Sequence, residues 1–236
     1  LGVLPSFTQA FFEHTSKCLK KLREIEENVW SAEKCDYTEL VTPEGAREAM
    51  AYTLANPTAA GLVRYSWQWP GVRSTSRDLL GHERTIEPPP FYFKKAKPKK
   101  LRFTPPPMLR NLEPVEDTIK TLKARIKQLE KEASDSLAAA GRSFLGLKRL
   151  AQTDWRSTPT TKRRDRKDPK HRSQLFKTLN GPKRKKAEKE MDAWLDVYEE
   201  IRKAFAAGNR EVFWPAGTWH MRVHRGCPTM SYVLMC

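Results

Sequence analysis

Apolar residues recur with helical or strand periods in distinct stretches of the chain. Phe7, Phe11, Cys18, Leu22 and Ile25 stand three, four or seven apart, which predicts an amphipathic helix from Ser6 to about Val29, with Ser6 and Gln9 as its capping box. Tyr37 to Val41 alternates like a short strand. Thr42, Pro43 and Glu44 then supply an N-cap, a first-turn proline and a first-turn acid. They open a second helix that is expected to stop near Asn56 because Pro57 follows, with one further turn over Ala59 to Val63. From Trp67 to Pro114 the chain is rich in proline, including Pro88-Pro89-Pro90 and Pro105-Pro106-Pro107, and reads as an extended arm.

Two later segments share one rhythm. Val115, Ile119, Leu122, Ile126, Leu129 and Ala133 step by four and three, and Ala187, Met191, Trp194, Tyr198, Ile201 and Phe205 do the same. Each is a helix with a heptad-like seam. The simplest arrangement is an antiparallel pair, with self-association into a homodimer as the alternative. In the tail, Trp219, Met221 and Val223 alternate with His220, Arg222 and His224, as in a half-buried strand. The expected fold is therefore α+β and mainly helical. Residues 1–76 form a core, 77–113 a proline-rich basic arm, 114–207 a helical pair with a basic connection, and 208–236 a β tail.

Charge changes this picture. Of 236 residues, 44 are Lys or Arg and 28 are Asp or Glu, a net charge of +16, and two segments account for all of the excess. The first is Lys94, Lys95, Lys97, Lys99, Lys100 and Arg102, without an acid among them. The second, Arg156 to Lys186, holds 13 cations against two acids; it includes Lys162, Arg163, Arg164, Arg166, Lys167, Lys183, Arg184, Lys185 and Lys186. Such blocks are solvated linkers, or they meet a polyanion, most commonly a nucleic-acid backbone. Phe93 beside Lys94 and Lys95, and Phe103 beside Arg102, add the ring-and-cation pairing that single-stranded nucleic acid uses; the other reading is that these rings dock the arm on the protein. Phe93 and the cations named here, apart from those of the wider second block left unnamed, are the candidate nucleic-acid contacts. No apolar run approaches the roughly 18 residues of a membrane span, so no membrane role and a cytoplasmic location are expected.

Among possible chemical sites, four cysteines lack any C-x-x-C pair. His220-x-x-x-His224 has a helical zinc spacing, but on a strand its members would stand about 13 Å apart. Phosphate-loop, dinucleotide and serine-hydrolase motifs do not occur. On the second helix, Ala46, Met50 and Leu54 form the apolar stripe. Tyr52 lies off it, with Asn56 one turn later on the same face. By periodicity alone this is a structural hydrogen-bonding pair.

The run Tyr52-x-x-x-Asn56-Pro57-x-x-Ala60-Gly61-Leu62-Val63, followed by Trp69-Pro70-x-x-x-Ser74, resembles the signature of the REP-associated tyrosine transposases, single-strand transposases of the HUH class. Asn28-Val29-Trp30-Ser31 and Phe213 to Arg222 resemble flanking segments of that family. The resemblance covers about residues 1–76 and the tail. It implies an incomplete ferredoxin-like core of helix, strand and helix, acting on single-stranded or hairpin DNA. It also implies that Tyr52 attacks a phosphodiester to leave a 5′-phosphotyrosine, and that Mg²⁺ or Mn²⁺ is held by two histidines of a His-hydrophobic-His strand together with Asn56. None of His14, His82, His171, His220 and His224 stands two from another. In the family that strand precedes the first helix seen here, and residue 1 is Leu. The expectation is a C-terminal portion lacking the metal histidines, with cleavage incomplete in this chain; the alternative is a non-enzymatic nucleic-acid-binding or helical interaction protein.

Overall fold

The computed structural model describes residues 4–30, 37–154 and 175–230. In chain order the elements are α1 (Leu4–Arg23), β1 (Glu39–Leu40), α2 (Pro43–Ala59), a 3-10 turn (Ser66–Gln68), α3 (Ser76–Leu79), β2 (Arg84–Ile86) and β3 (Lys99–Leu101). They continue with α4 (Pro107–Arg110), α5 (Val115–Ala139), α6 (Gly146–Gln152), β4 (Phe176–Lys177), α7 (Gly181–Ala206) and α8 (Trp219–Arg225). The protein is mostly helical, with a few short strands. No described helix is long and apolar enough to cross a membrane.

The chain divides into two units that interleave in sequence: Asp36–Glu87 with Pro98–Gly181, and Leu1–Cys35 with Pro88–Lys97 and Pro182–Cys236. Four consecutive segments were expected. The physical reason for the difference is where the two helical seams are buried. In the first unit α5 packs along α2; the buried positions are Gly45, Ala46, Ala51, Ala55 and Thr58 on α2 and Thr118 and Leu122 on α5. In the second unit the seam of α7 closes on the tail. Tyr198 and Phe205 lie 5.6 and 5.4 Å from the ring of Trp214, and the Trp194 indole N–H donates to the Ala216 carbonyl at 2.9 Å. Each seam thus has a partner in its own unit.

In the first unit, Thr42 has extended dihedrals and its hydroxyl accepts the Gly45 N–H at 3.1 Å, which caps α2 as the sequence predicts. The helix does not stop at Asn56. It continues through Pro57 because the groups beyond the proline close a left-handed cap: Gly61 has φ 72°, its N–H donates to Thr58, and the Leu62 N–H donates to Pro57. Thr53, whose carbonyl the proline deprives of a donor, is on the exposed side. The buried stripe is also rotated from the expected one. Met50 and Leu54 are only half-buried and line a groove, while the alanines carry the helix contact.

The predicted strand survives as β1, which pairs in parallel with β4, Glu39 opposite Phe176 and Leu40 opposite Lys177. The Thr42 and Thr178 hydroxyls are 3.1 Å apart. A methyl group at Gly45 would lie 2.9 Å from the Lys177 carbonyl oxygen, so glycine is what lets β4 approach the start of α2. Gly45→Ala is expected to destabilise the protein by about 1–3 kcal/mol, read as a lower urea midpoint.

The proline-rich segment is not simply extended. It contains α3, α4 and an antiparallel ribbon in which Arg84, Thr85 and Ile86 of β2 face Leu101, Lys100 and Lys99 of β3. Asp78 anchors this region: its buried carboxylate accepts from the Thr75 N–H and hydroxyl and from Arg84.

In the second unit, α1 is shorter than its periodicity predicts. Ser6 lies inside it rather than capping it, and Glu24, with φ 53°, follows its last residue. The Trp30 indole N–H donates to the Phe12 carbonyl at 3.0 Å. Of the expected helix-strand-helix order, α1 belongs to this unit and β1 and α2 to the other. The tail is corrected as well. Among its described residues the β contribution is one parallel bridge between Trp214 and Thr229, whereas 219–225, expected as a strand, is helical and ends at Gly226 with φ 62°. An alternation over six residues was too short to distinguish the two periods.

Candidate functional site

Glu48, Tyr52 and Asn56 stand four apart on α2 and so share one face. Tyr52 is 53% exposed and Asn56 is exposed. A phenol on a rigid helix, open to solvent and away from the helix contact, is free to meet a large ligand. The structure adds a group that the sequence reading did not single out. The Lys177 ammonium lies 5.4 Å from the centroid of the Tyr52 ring, a cation–π distance. β4 delivers it, and that strand is held in place by Leu40, by the Thr42–Thr178 contact and by the absence of a side chain at Gly45. Lys177 was visible only as one of 13 cations in the second basic block; its partner strand is two residues long and far away in sequence.

The neighbouring carboxylate is already engaged. Both oxygens of Glu48 accept from Arg125 of α5, each at 2.8 Å. That bidentate contact is the main reason the Glu48 carboxyl is held below its usual range; partial burial opposes it, and the Arg125 and Lys177 charges add to the lowering. Arg125 is correspondingly raised. The preceding residue of α2, Arg47, donates to Glu113 at 2.7 Å, and the Thr118 hydroxyl and Arg47 hold Glu113 low against its desolvation. These pairs brace α2 against α5.

The donor set bears on a divalent cation. Mg²⁺ or Mn²⁺ takes about six oxygen ligands. The Tyr52 face offers the neutral carboxamide of Asn56, with Glu48 occupied by Arg125, so the described residues do not fit such an ion. Among the described residues no group of three His, Cys, Asp or Glu side chains could hold a metal. The histidine spacing of the tail has a different geometry from that expected. On helix α8 the rings of His220 and His224 are 5.0 Å apart rather than at strand distance, and His224 also meets Trp219 edge-on at 4.9 Å.

The predicted nucleic-acid contacts that are described do not all belong to one unit. Lys162, Arg163, Arg164, Arg166 and Lys167 lie outside the described residues. Lys183, Arg184, Lys185 and Lys186 are exposed on the first turns of α7, where Arg184 and Lys186 pair with Glu188 and Glu190 at 3.5 and 3.7 Å. The first block is divided between units. Lys94, Lys95 and Lys97 are exposed in one; Lys99, Lys100 and Arg102 are exposed on or beside β3 in the other, with Lys100 3.1 Å from Glu83. Phe93 takes the docked alternative, edge-on to Tyr92 at 4.6 Å and 6.0 Å from His14 of α1. Comparison with known protein families, with characterised proteins and with solved structures finds no match for this chain.

Proposed function

We propose that this protein is a transposase-like DNA-binding protein that works on single-stranded or hairpin DNA in the cytoplasm, with Tyr52 as the residue that meets a phosphodiester. The observation that supports the reading is the exposed Tyr52 phenol with the Lys177 ammonium over its ring and Asn56 one turn away. In the chemistry of a tyrosine nuclease, the phenolic oxygen forms a bond to phosphorus and the bond from phosphorus to the 3′-oxygen breaks. The phenolic proton leaves to solvent, and the departing 3′-oxygen takes one up. A nearby fixed cation favours approach of the dianionic transition state. Metal-dependent cleavage of the family type needs ligands beyond the residues described here, so the chain is expected to bind DNA more readily than it cuts it.

The second reading, a non-enzymatic nucleic-acid-binding protein, is favoured by the engagement of Glu48 with Arg125, which ties up the carboxylate on the Tyr52 face. A gel assay separates the two. The chain, and the longest chain its reading frame encodes, are incubated with labelled single-stranded hairpin DNA and Mn²⁺. The transposase reading expects a covalent protein–DNA adduct from at least the longer chain, and Tyr52→Phe abolishes it. Absence of an adduct from both chains, or an adduct that survives Tyr52→Phe, assigns the protein to the second reading.

A further inference from the structure

Immediately after α2 the chain presents an aromatic face that neither reading uses. The Tyr65 and Trp67 rings stack with centroids 6.1 Å apart and planes 7° from parallel, and the Arg64 guanidinium lies 5.7 Å from the Tyr65 centroid. Trp67 is 64% exposed. Its backbone is nevertheless fixed: the Ser66 N–H and hydroxyl both donate to Glu130 of α5, at 2.7 and 2.6 Å, and the Tyr65 N–H donates to the Gln68 side chain at 3.1 Å. A large indole held rigidly and left largely in water contributes little to folding. It is pre-organised to receive a flat partner.

Trp67 also borders a groove of about 680 Å³ between α2, α5 and the segment around Phe103, within the size range of small-molecule sites. Met50, Leu54 and Ile119 give it an apolar lining. Its charged lining is positive. Arg73, Lys123 and Lys127 lie on it against two carboxylates, the buried Asp78, which is paired with Arg84, and Glu130, which keeps its charge while accepting from Ser66. An apolar peptide would fill the groove but bring no anion to its three cations. A nucleotide supplies a planar ring for the indole and a phosphate for the cations.

We infer that this groove receives an unstacked base of single-stranded nucleic acid, which stacks on Trp67 while its flanking phosphates contact Arg73, Lys123 and Lys127. The inference rests on the DNA-binding part of the proposed function and is independent of chemistry at Tyr52.

The test uses the full chain and a single-stranded oligonucleotide of about 12 nucleotides, within the span such sites cover, carrying one 2-aminopurine whose emission is quenched on stacking. Wild-type protein is expected to quench it, with an affinity that falls as salt rises. Trp67→Ala is expected to weaken binding about tenfold and remove the quenching, consistent with the loss of one base stack. Trp67→Phe retains both in part, and Lys123→Gln with Lys127→Gln lowers the salt dependence. Far-ultraviolet circular dichroism checks that the variants are folded. Binding and quenching unchanged in Trp67→Ala, or binding without quenching in the wild type, overturns the inference while leaving DNA binding in place. Absence of any oligonucleotide binding overturns both. Quenching that depends on Trp67 in a protein that never forms an adduct supports the groove and removes only the role of Tyr52.

Discussion

Trp214→Ala is expected to destabilise the protein by about 3–5 kcal/mol, enough to unfold much of the unit that contains it. Trp214 is 2% exposed, and the rings of Tyr198 and Phe205 pack against its own. Its backbone also holds the tail: its N–H donates to the Pro228 carbonyl at 2.9 Å, and its carbonyl accepts from Met230 at 2.7 Å. Truncation removes the ring on which the seam of α7 closes and leaves a cavity that rigid helix and bridge geometry cannot collapse. Trp214→Phe is the informative companion. The buried indole N–H has no hydrogen-bond partner among the described residues, a deficit of about 1–3 kcal/mol, and phenylalanine removes that donor while keeping a ring. Chemical denaturation should therefore place Trp214→Phe much nearer wild type than Trp214→Ala. If the two variants lose equal stability, the ring contact is not what holds the tail.

The second large effect is expected at Asp78. Its side chain is almost completely buried, and it joins the start of α3 to the β2–β3 ribbon through Thr75 and Arg84. Removing one partner of such a pair leaves the other poorly solvated, so Asp78→Ala is expected to cost about 3 kcal/mol. This is the low end for a buried pair, because Arg84 is partly exposed. The pH dependence has a definite sign. Burial pushes the Asp78 carboxyl up, but the Thr75 N–H, the Thr75 hydroxyl and Arg84 together outweigh burial and hold it below its ordinary value. A depressed carboxyl contributes stability above its unfolded pKa of about 4 and loses it as pH falls through the lower folded value. The stability advantage of wild type over Asp78→Asn should thus be complete at neutral pH and shrink below about pH 4, as followed by urea midpoints. A gap independent of pH in that range would show that the carboxylate charge does not matter.

The parts of the fold legible in the sequence are those whose signal is local and long. The seams of α5 and α7 run over six apolar positions each, and Thr42-Pro43-Glu44 starts α2 where it should because a cap, a proline and an acid act within one turn. The misread parts have either short or non-local causes. Residues 219–225 carry too few positions to separate alternation from a helical turn. Pro57 ordinarily ends a helix, and only the cap formed by Gly61 and Leu62 carries α2 past it. The pairing of β1 with β4 has no sequence signature, since two residues on each side are too few for a pattern.

The same division holds at the candidate site. Tyr52 and Asn56 could be placed on one helix face by counting residues, because α2 is a single uninterrupted helix there. Lys177 above the Tyr52 ring could not, and neither could the occupation of Glu48 by Arg125, because both depend on elements that meet only after the chain has folded back. The sequence alone determined that the protein is mainly helical, strongly basic in two blocks, and equipped with a tyrosine off the apolar stripe of its second helix, since period, charge and spacing are properties of adjacent residues. Tertiary structure alone decided what each seam buries itself against, which cation stands at the phenol, and that Trp67 is left largely in water while Phe93 is docked on its neighbours, because these follow from contacts between residues distant in the chain.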